Sequence, residues 1–380
     1  MTSTNHSPLD KKKHLGFWEK KSQPLDFPFL LAVLLLLFVG LMMLFSAGYA
    51  ASLSKTGDSY FFIRRQLIWA TFGTVGMLIV SRIPPKWYTP LIPAFYAICV
   101  FLLVLVLIIS NDSEKRWIYI GSFQFQPSEF AKLAVIMMLA QYIKRHKDEM
   151  KTFVKGFVIP CLIFGVPCLL VLVETHLSGA ILIFGVGFIM LLVGGSNKLY
   201  CTIAVVIGII FAAVALLNVN YMMERVLVWL DPTRDILGSG HQPYQSLLTI
   251  GSGGLFGLGY GKSRQKYLFL PEPQNDCIFS ITAEEVGFVG VVLIIILFAF
   301  LIWRGIYISI KANNVFLSLM SMGIITRVAL QTILNLAVVT NSAPTTGISL
   351  PFFSYGGTAL LVLLLEMGLV LRVSRDSYLK

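Results

Sequence analysis

The sequence predicts an all-α polytopic membrane protein with ten transmembrane helices, both termini cytoplasmic, and one long extracytoplasmic loop between spans 7 and 8. Three observations carry this. Of 380 residues, 56% are hydrophobic and only 13% charged, against about 25% charged in a soluble domain. Apolar runs approaching the ~20 residues needed to cross ~30 Å of hydrocarbon recur along the chain. Lys and Arg collect in alternate connections between those runs, as the positive-inside rule requires. The composition excludes a water-soluble core. The net charge of +11 does not indicate nucleic acid, because the basic residues sit mostly in short loops between apolar runs.

Residues 1–26 form a polar, lysine-bearing cytoplasmic tail. The run Phe27–Ala50 is too long for a signal-peptide core and reads as a retained first span. Nine further runs follow: Gln66–Val80, Leu91–Ser110, Ser128–Ile143, Phe153–Val173, Gly179–Gly194, Tyr200–Asn218, Cys277–Trp303, Val315–Thr340 and Tyr355–Val373. Residues 27–373 thus make one ten-span domain, and 374–380 a second cytoplasmic tail. An even number of spans puts both ends on one side. Lys11–Lys13, the cluster Lys144, Arg145, Lys147, Lys151 and Lys155, and Arg372, Arg375 and Lys380 all fall on that side, which makes it cytoplasmic.

The loop 219–276 is then extracytoplasmic. Connections of that length are functional or disordered, and its Gly and aromatic content favours an ordered one. From Gly251 it reads G-S-G-G-L-F-G-L-G-Y-G-K-S. The end of this run imitates a P-loop, but Phe256 stands where that pattern needs Gly, and Lys262 stands where a dinucleotide fingerprint needs Gly. Two physical readings stay open. The glycines let the backbone approach a bulky ligand and expose N–H groups to it, or they only make tight turns.

The cysteines Cys99, Cys161, Cys168, Cys201 and Cys277 form no C-x-x-C pair and read as small apolar filler, with no disulfide framework and no metal site. Asp276 lies where the polar loop meets an apolar helix. Position alone leaves two readings: a helix N-cap, or a charge at the membrane edge that is put to use.

Six segments then decide the matter of kinship. They are Arg116–Trp117–Ile118, F-Q-P-S-E-F-A-K-L-A (Phe125–Ala134), Q-S-L-L-T-I-G-S-G-G-L-F-G (Gln245–Gly257), Q-K-Y-L-F-L-P-E-P-Q-N-D-C-I-F (Gln265–Phe279), A-E-E-V-G-F-V-G (Ala283–Gly290) and P-T-T-G-I-S-L-P-F-F-S-Y-G-G-T (Pro344–Thr358). Together they resemble the SEDS family (shape, elongation, division and sporulation), and the wording lies closest to its division and sporulation branch. The resemblance implies a ten-helix glycosyltransferase that polymerises lipid II into peptidoglycan at the outer face of a bacterial cytoplasmic membrane. It implies a class B penicillin-binding protein as transpeptidase partner, beside other division or sporulation membrane proteins. Asp276 occupies the place of the family's catalytic aspartate, and Glu129 and Lys132 match its F-Q-P-S-E-x-x-K pair. Arg116 and Gln245 lie in shared segments and are expected to support substrate binding. The chain departs from the family at Asn275–Asp276–Cys277, where Thr-Asp-Phe is usual. It departs again at Glu174–Ala180, where many members carry P-D-L-G-T.

The chemistry is consistent with those assignments. A sugar hydroxyl is a weak nucleophile at neutral pH, and a positioned carboxylate removes its proton as the bond forms, a contribution of about 10²–10⁴-fold. Cations aimed at the departing pyrophosphate stabilise its charge, and the loop offers Arg225, Arg234, Lys262, Arg264 and Lys266. A divalent cation, Mg2+ or Mn2+, is compatible with that departure, but the sequence holds no dedicated ligand cluster. Glu129 and Lys132, three apart, share a helix face. They read as a structural ion pair, as support for Asp276 with Lys132 beside it, or as both. Ser354, Tyr355 and Gly356 are expected to line the sugar site, with Glu284 or Glu285 facing the same cavity. Arg327 and Glu366 are expected to meet near the midplane as a structural pair, since a lone charge there is costly. Two other functions fit the same features: a lipid II flippase, and a non-catalytic scaffold of the cell-wall machinery.

Overall fold

The computed structural model describes residues 25–109, 116–120, 123–206, 208, 220–267 and 269–376. Helix α1 (Phe27–Thr56) starts at Asp26, whose carboxylate accepts the Phe29 N–H at 2.9 Å, and stops at Gly57, which adopts φ 73°. It outlasts its predicted end at Ala50 because no breaker occurs before that glycine. Helices α2 (Phe61–Val80) and α3 (Ile92–Ile109) follow. An antiparallel hairpin then departs from the all-α expectation. Strands β1 (Ile118–Ile120) and β2 (Phe123–Phe125) pair Ile118 with Phe125, in a stretch rich in the β-branched and aromatic residues that favour strands.

Helix α4 (Pro127–Arg145) opens on Pro127, which lacks only an N–H that the first turn leaves unbonded anyway. A π turn, Val154–Val158, leads into α5 (Ile159–Val173), then come α6 (Leu177–Val193) and α7 (198–206). The rest of the seventh predicted span, almost all of the N-terminal tail and the last four residues lie outside the described residues. The long loop carries two helices, α8 (Asn220–Leu230) and α9 (His241–Ser252). Helices α10 (Ile278–Ile310), α11 (Val315–Val339) and α12 (Gly357–Asp376) complete the chain. Six helical segments among the described residues are long and apolar enough to cross a membrane: α1, Pro85–Ile109, Val154–Val173, α10, α11 and α12.

Helix α12 lies against α2, and α11 against α10, α4 and α6, around a core that includes Leu139, Ile324, Val328, Leu364 and Met367. Lipid tails are as apolar as leucine, so close packing and buried polar bonds hold such helices together. Four charges from α4, α11 and α12 are buried in that core. Lys132 Nζ donates to Glu129 Oε1 at 2.6 Å, and Arg327 Nη1 donates to Glu366 Oε1 at 3.2 Å. Arg327 Nη1 also lies 3.8 Å from Glu129 Oε2. The four alternate in sign and sum to zero, so their mutual attraction offsets part of the cost of taking charge out of water.

Helix α10 is broken at Gly287 (φ 68°, ψ −175°). The glycine run of the long loop repairs the break. Phe288 and Val289 donate their N–H groups to the Gly254 and Leu255 carbonyls at 2.9 and 3.1 Å. In return, Leu258 and Gly259 donate to the Glu284 and Glu285 carbonyls at 2.9 and 3.0 Å. A Cβ at Gly257 would collide with the Glu285 carbonyl, so the close backbone approach is to α10. The two carboxylates hold the same loop. Glu285 accepts the Gly261 and Ser263 N–H groups at 3.0 and 3.2 Å, and Glu284 accepts the Arg264 N–H at 3.1 Å and the Ser263 hydroxyl. Lys266 closes the latch, its Nζ 3.2 Å from Glu285 Oε1 and 3.0 Å from Ser46 Oγ. Glu285→Leu leaves Lys266 buried without its counter-charge. Limited proteolysis is expected to cut between residues 255 and 266 at least tenfold faster in that variant, well within the ~3–5 kcal/mol cost of breaking a buried pair.

Candidate active site

The main cavity holds about 730 Å³ and is walled by α2, the hairpin, the start of α4, the start of α6, and the two irregular segments that precede α10 and α12. Asp276 stands on the wall where the long loop ends, partly exposed. Arg65 and Trp69 come from α2, Arg116 and Trp117 from the turn before β1, and Glu129 and Lys132 from the first turns of α4. His176 precedes α6, and Gly347, Tyr355 and Gly356 belong to the segment before α12. The structure therefore gathers Asp276, Glu129, Lys132 and Arg116 around one space. Lys132 engages Glu129 there, and Arg116 Nη2 donates to the Thr175 carbonyl at 2.9 Å.

Tyr355 and Gly356 join them, as expected, and the remaining predicted site residues lie off the cavity wall. Arg225 Nη1 donates to the Thr345 carbonyl at 2.5 Å, so it steadies the segment before α12 from α8. Ser354 is buried. Its Oγ accepts the Leu350 N–H at 2.7 Å and donates to the Asn275 carbonyl at 2.8 Å, so it acts on backbone. Gln245, Lys262 and Lys266 are not on the cavity wall, and neither are Glu284 and Glu285. Lys266 and the two glutamates answer one another across the helix break, a pairing that sequence position alone does not reveal. Lys262 is exposed, beyond the latch. Among the described residues no group of three or more His, Cys, Asp or Glu side chains is set to hold a metal ion.

Sequence reasoning missed Arg65, Trp69, His176, Glu272 and Gln331, all on the cavity wall. The pair Arg64–Arg65 at the start of an apolar run was the one visible signal. His176 is pushed down to about 3 by burial and by Lys132 and Arg116, and is neutral at physiological pH. Next to it, Glu174 is fully buried and neither carboxylate oxygen has a hydrogen-bond partner. Burial raises it to about 8, opposed by Arg116. A carboxyl raised in the folded state contributes full stability below its unfolded value of 4.5 and loses it as pH climbs to about 8. Glu174→Gln is therefore expected to unfold at a higher temperature than the parent at pH 8, and at the same temperature at pH 4, in detergent melting curves.

Gly347 sits at φ 64°, and a Cβ there would lie 3.1 Å from Asp276 Oδ2. A side chain is disfavoured here for two reasons: the left-handed backbone and the nearness of the carboxylate, which would have to shift. Gly347→Val is expected to lower turnover at least tenfold, read from initial rates.

The sequence and the fold have counterparts. Residues 27–379 match the model of the cell cycle protein family that comprises FtsW, RodA and SpoVE. The chain belongs to that family. The FtsW/RodA/SpoVE assignment makes it a multi-pass membrane protein, in keeping with its six long apolar helices. It is 39% identical to stage V sporulation protein E of Bacillus subtilis (strain 168) over 94% of this chain and 99% of that protein. It is 36% identical to a probable peptidoglycan glycosyltransferase FtsW of Geobacter sp. (strain M18), over 91% and 95% of the two chains. Among solved structures it superposes on a chain of a peptidoglycan synthase complex described as coordinating polymerization and crosslinking, with TM-score 0.78 and 28% identity over 94% and 99% of the chains. The Thermus thermophilus rod shape determining protein RodA follows the same path at TM-score 0.68 and 26% identity, over 94% and 98%.

Proposed function

We propose that this FtsW/RodA/SpoVE member is a peptidoglycan glycosyltransferase that polymerises lipid II, with Asp276 as general base. The observation that carries the reading is one cavity in which a carboxylate, Asp276, shares the walls with Arg65, Arg116 and Lys132. The 4-hydroxyl of an N-acetylglucosamine attacks the anomeric carbon of a second, lipid-linked sugar. Its proton passes to Asp276 as the new C–O bond forms, and the bond to undecaprenyl pyrophosphate breaks with its electron pair leaving on the phosphate oxygen. A single carboxylate acting without a covalent intermediate gives inversion at that carbon, as in inverting glycosidases. Arg65 and Arg116 supply the positive charge that favours the leaving group, and Lys132, balanced by Glu129, lies on the same wall. Glu129 keeps Lys132 in place, and Arg327 and Glu366 complete the neutral set behind it.

In this reading the chain crosses the membrane ten times in one domain, 27–373, with both termini in the cytoplasm, and the cavity opens at the outer face, where lipid-linked sugars lie. The process served is septal or spore wall synthesis, with a class B penicillin-binding protein supplying the crosslinks. The test is purified protein with its partner and lipid II, assayed both in detergent and in liposomes. Glycan polymer supports the enzyme. Lipid II movement across a bilayer without polymer marks a flippase, and neither activity marks a scaffold.

A further inference from the structure

Three consecutive backbone carbonyls lead up to and include the proposed base, and each is held by a donor from a distant part of the chain. Gln274 O accepts the Tyr355 N–H at 2.8 Å, Asn275 O accepts the Ser354 hydroxyl at 2.8 Å, and Asp276 O accepts Asn335 Nδ2 at 3.1 Å. The same Nδ2 donates to the Ile348 carbonyl at 2.6 Å. A primary amide nitrogen has two N–H donors, and both are engaged. They join the two irregular segments that face each other across Asp276. One ends in the carboxylate, and the other carries Gly347. Asn335 is 1% exposed, and the cavity wall does not include it. One turn earlier on α11, Gln331 Nε2 holds Ser349 through its carbonyl and its hydroxyl, at 2.9 and 3.1 Å.

We propose that Asn335 is a positioning residue for Asp276: its amide fixes the separation of the two segments and so the geometry in which the carboxylate meets the incoming hydroxyl. The proposal rests on the reading of Asp276 as base. The chemistry at this position admits few substitutes. Leu leaves two buried carbonyls without a donor. Asp sets a carboxylate against two carbonyl oxygens. Gln keeps both donors but moves them by one methylene. A displacement of about 1 Å in a reacting group is enough to cost ~10²-fold in rate.

The experiment compares steady-state polymerisation of lipid II by the full-length protein with its partner, alongside detergent melting curves. The variants are Asn335→Leu, Asn335→Asp, Asn335→Gln and Asp276→Asn. The expected result is a kcat lowered about 100-fold in the Leu and Asp variants with KM within about threefold, and a smaller loss in the Gln variant. Melting temperature falls in the Leu and Asp variants, which lose both bonds, but the protein stays folded at the assay temperature, and the Gln variant melts closest to the parent. Leu and Asp variants with kcat within about threefold of the parent overturn the proposal, and so does a kcat loss matched by an equal loss of folded protein. Should Leu and Asp prevent folding, the Gln variant decides: a lowered kcat in folded protein supports positioning, and parental kcat overturns it. Asp276→Asn separates the two layers. Parental activity in that variant removes the base itself. An inactive Asp276→Asn beside fully active Asn335 variants removes only the positioning role.

Discussion

Asp276→Asn is expected to lower kcat for glycan polymerisation by about 10²–10⁴-fold, the range that a positioned base contributes. The amide keeps the size and polarity of the carboxylate but accepts no proton. Its fold should be largely retained, because the substitution leaves in place the carbonyls of Gln274, Asn275 and Asp276 that bond to Tyr355, Ser354 and Asn335. KM should change little, since Arg65, Arg116 and Lys132 still line the cavity. Asp276→Glu is expected to recover only part of the rate. Its proton acceptor is present but displaced by a methylene, toward a wall where Gly347 already lies close. Initial rates with lipid II, and melting curves on the same samples, check each statement.

The second large effect concerns stability. Arg327→Met is expected to destabilise the bundle by about 3–5 kcal/mol, the cost of leaving a buried charge without its partner. Arg327 is 1% exposed and Glu366 is 0% exposed, so water cannot take over the lost contact. Adding Glu366→Leu to that variant should recover most of the loss, because a well-packed apolar pair replaces a buried ion pair at little cost. Glu129 remains neutralised in the double variant by Lys132 at 2.6 Å. The check is unfolding in a denaturing detergent, read by helical circular dichroism, for the two single variants and the double.

Several of these features are legible in the sequence because lipid imposes strict rules. Apolar runs of span length gave helices close to their observed positions, with ends shifted to the nearest cap: α1 runs on to Gly57, and α12 waits until Gly357 because the Tyr355 N–H is bonded to Gln274. The contact of Arg327 with Glu366 follows from the cost of a lone charge in hydrocarbon combined with helix rise. The long loop was less readable. Its glycines, glutamates and Lys266 fit one another across a helix break at Gly287, and a break stated by two dihedral angles leaves no periodic trace. Two of the charged loop residues, Lys266 and Arg225, are engaged with protein through contacts that the sequence does not announce. The cavity's remaining cation, Arg65, and the neutral His176 come from segments that only the folded chain brings to Asp276.

One measurement bears on the central claim most directly. Lipid II binding and lipid II polymerisation are followed in a single preparation of the Asp276→Asn protein. The account predicts substrate bound with near-parental affinity and no glycan strand formed. Strands of ordinary length, made at the parental rate by protein that lacks this carboxylate, would contradict it.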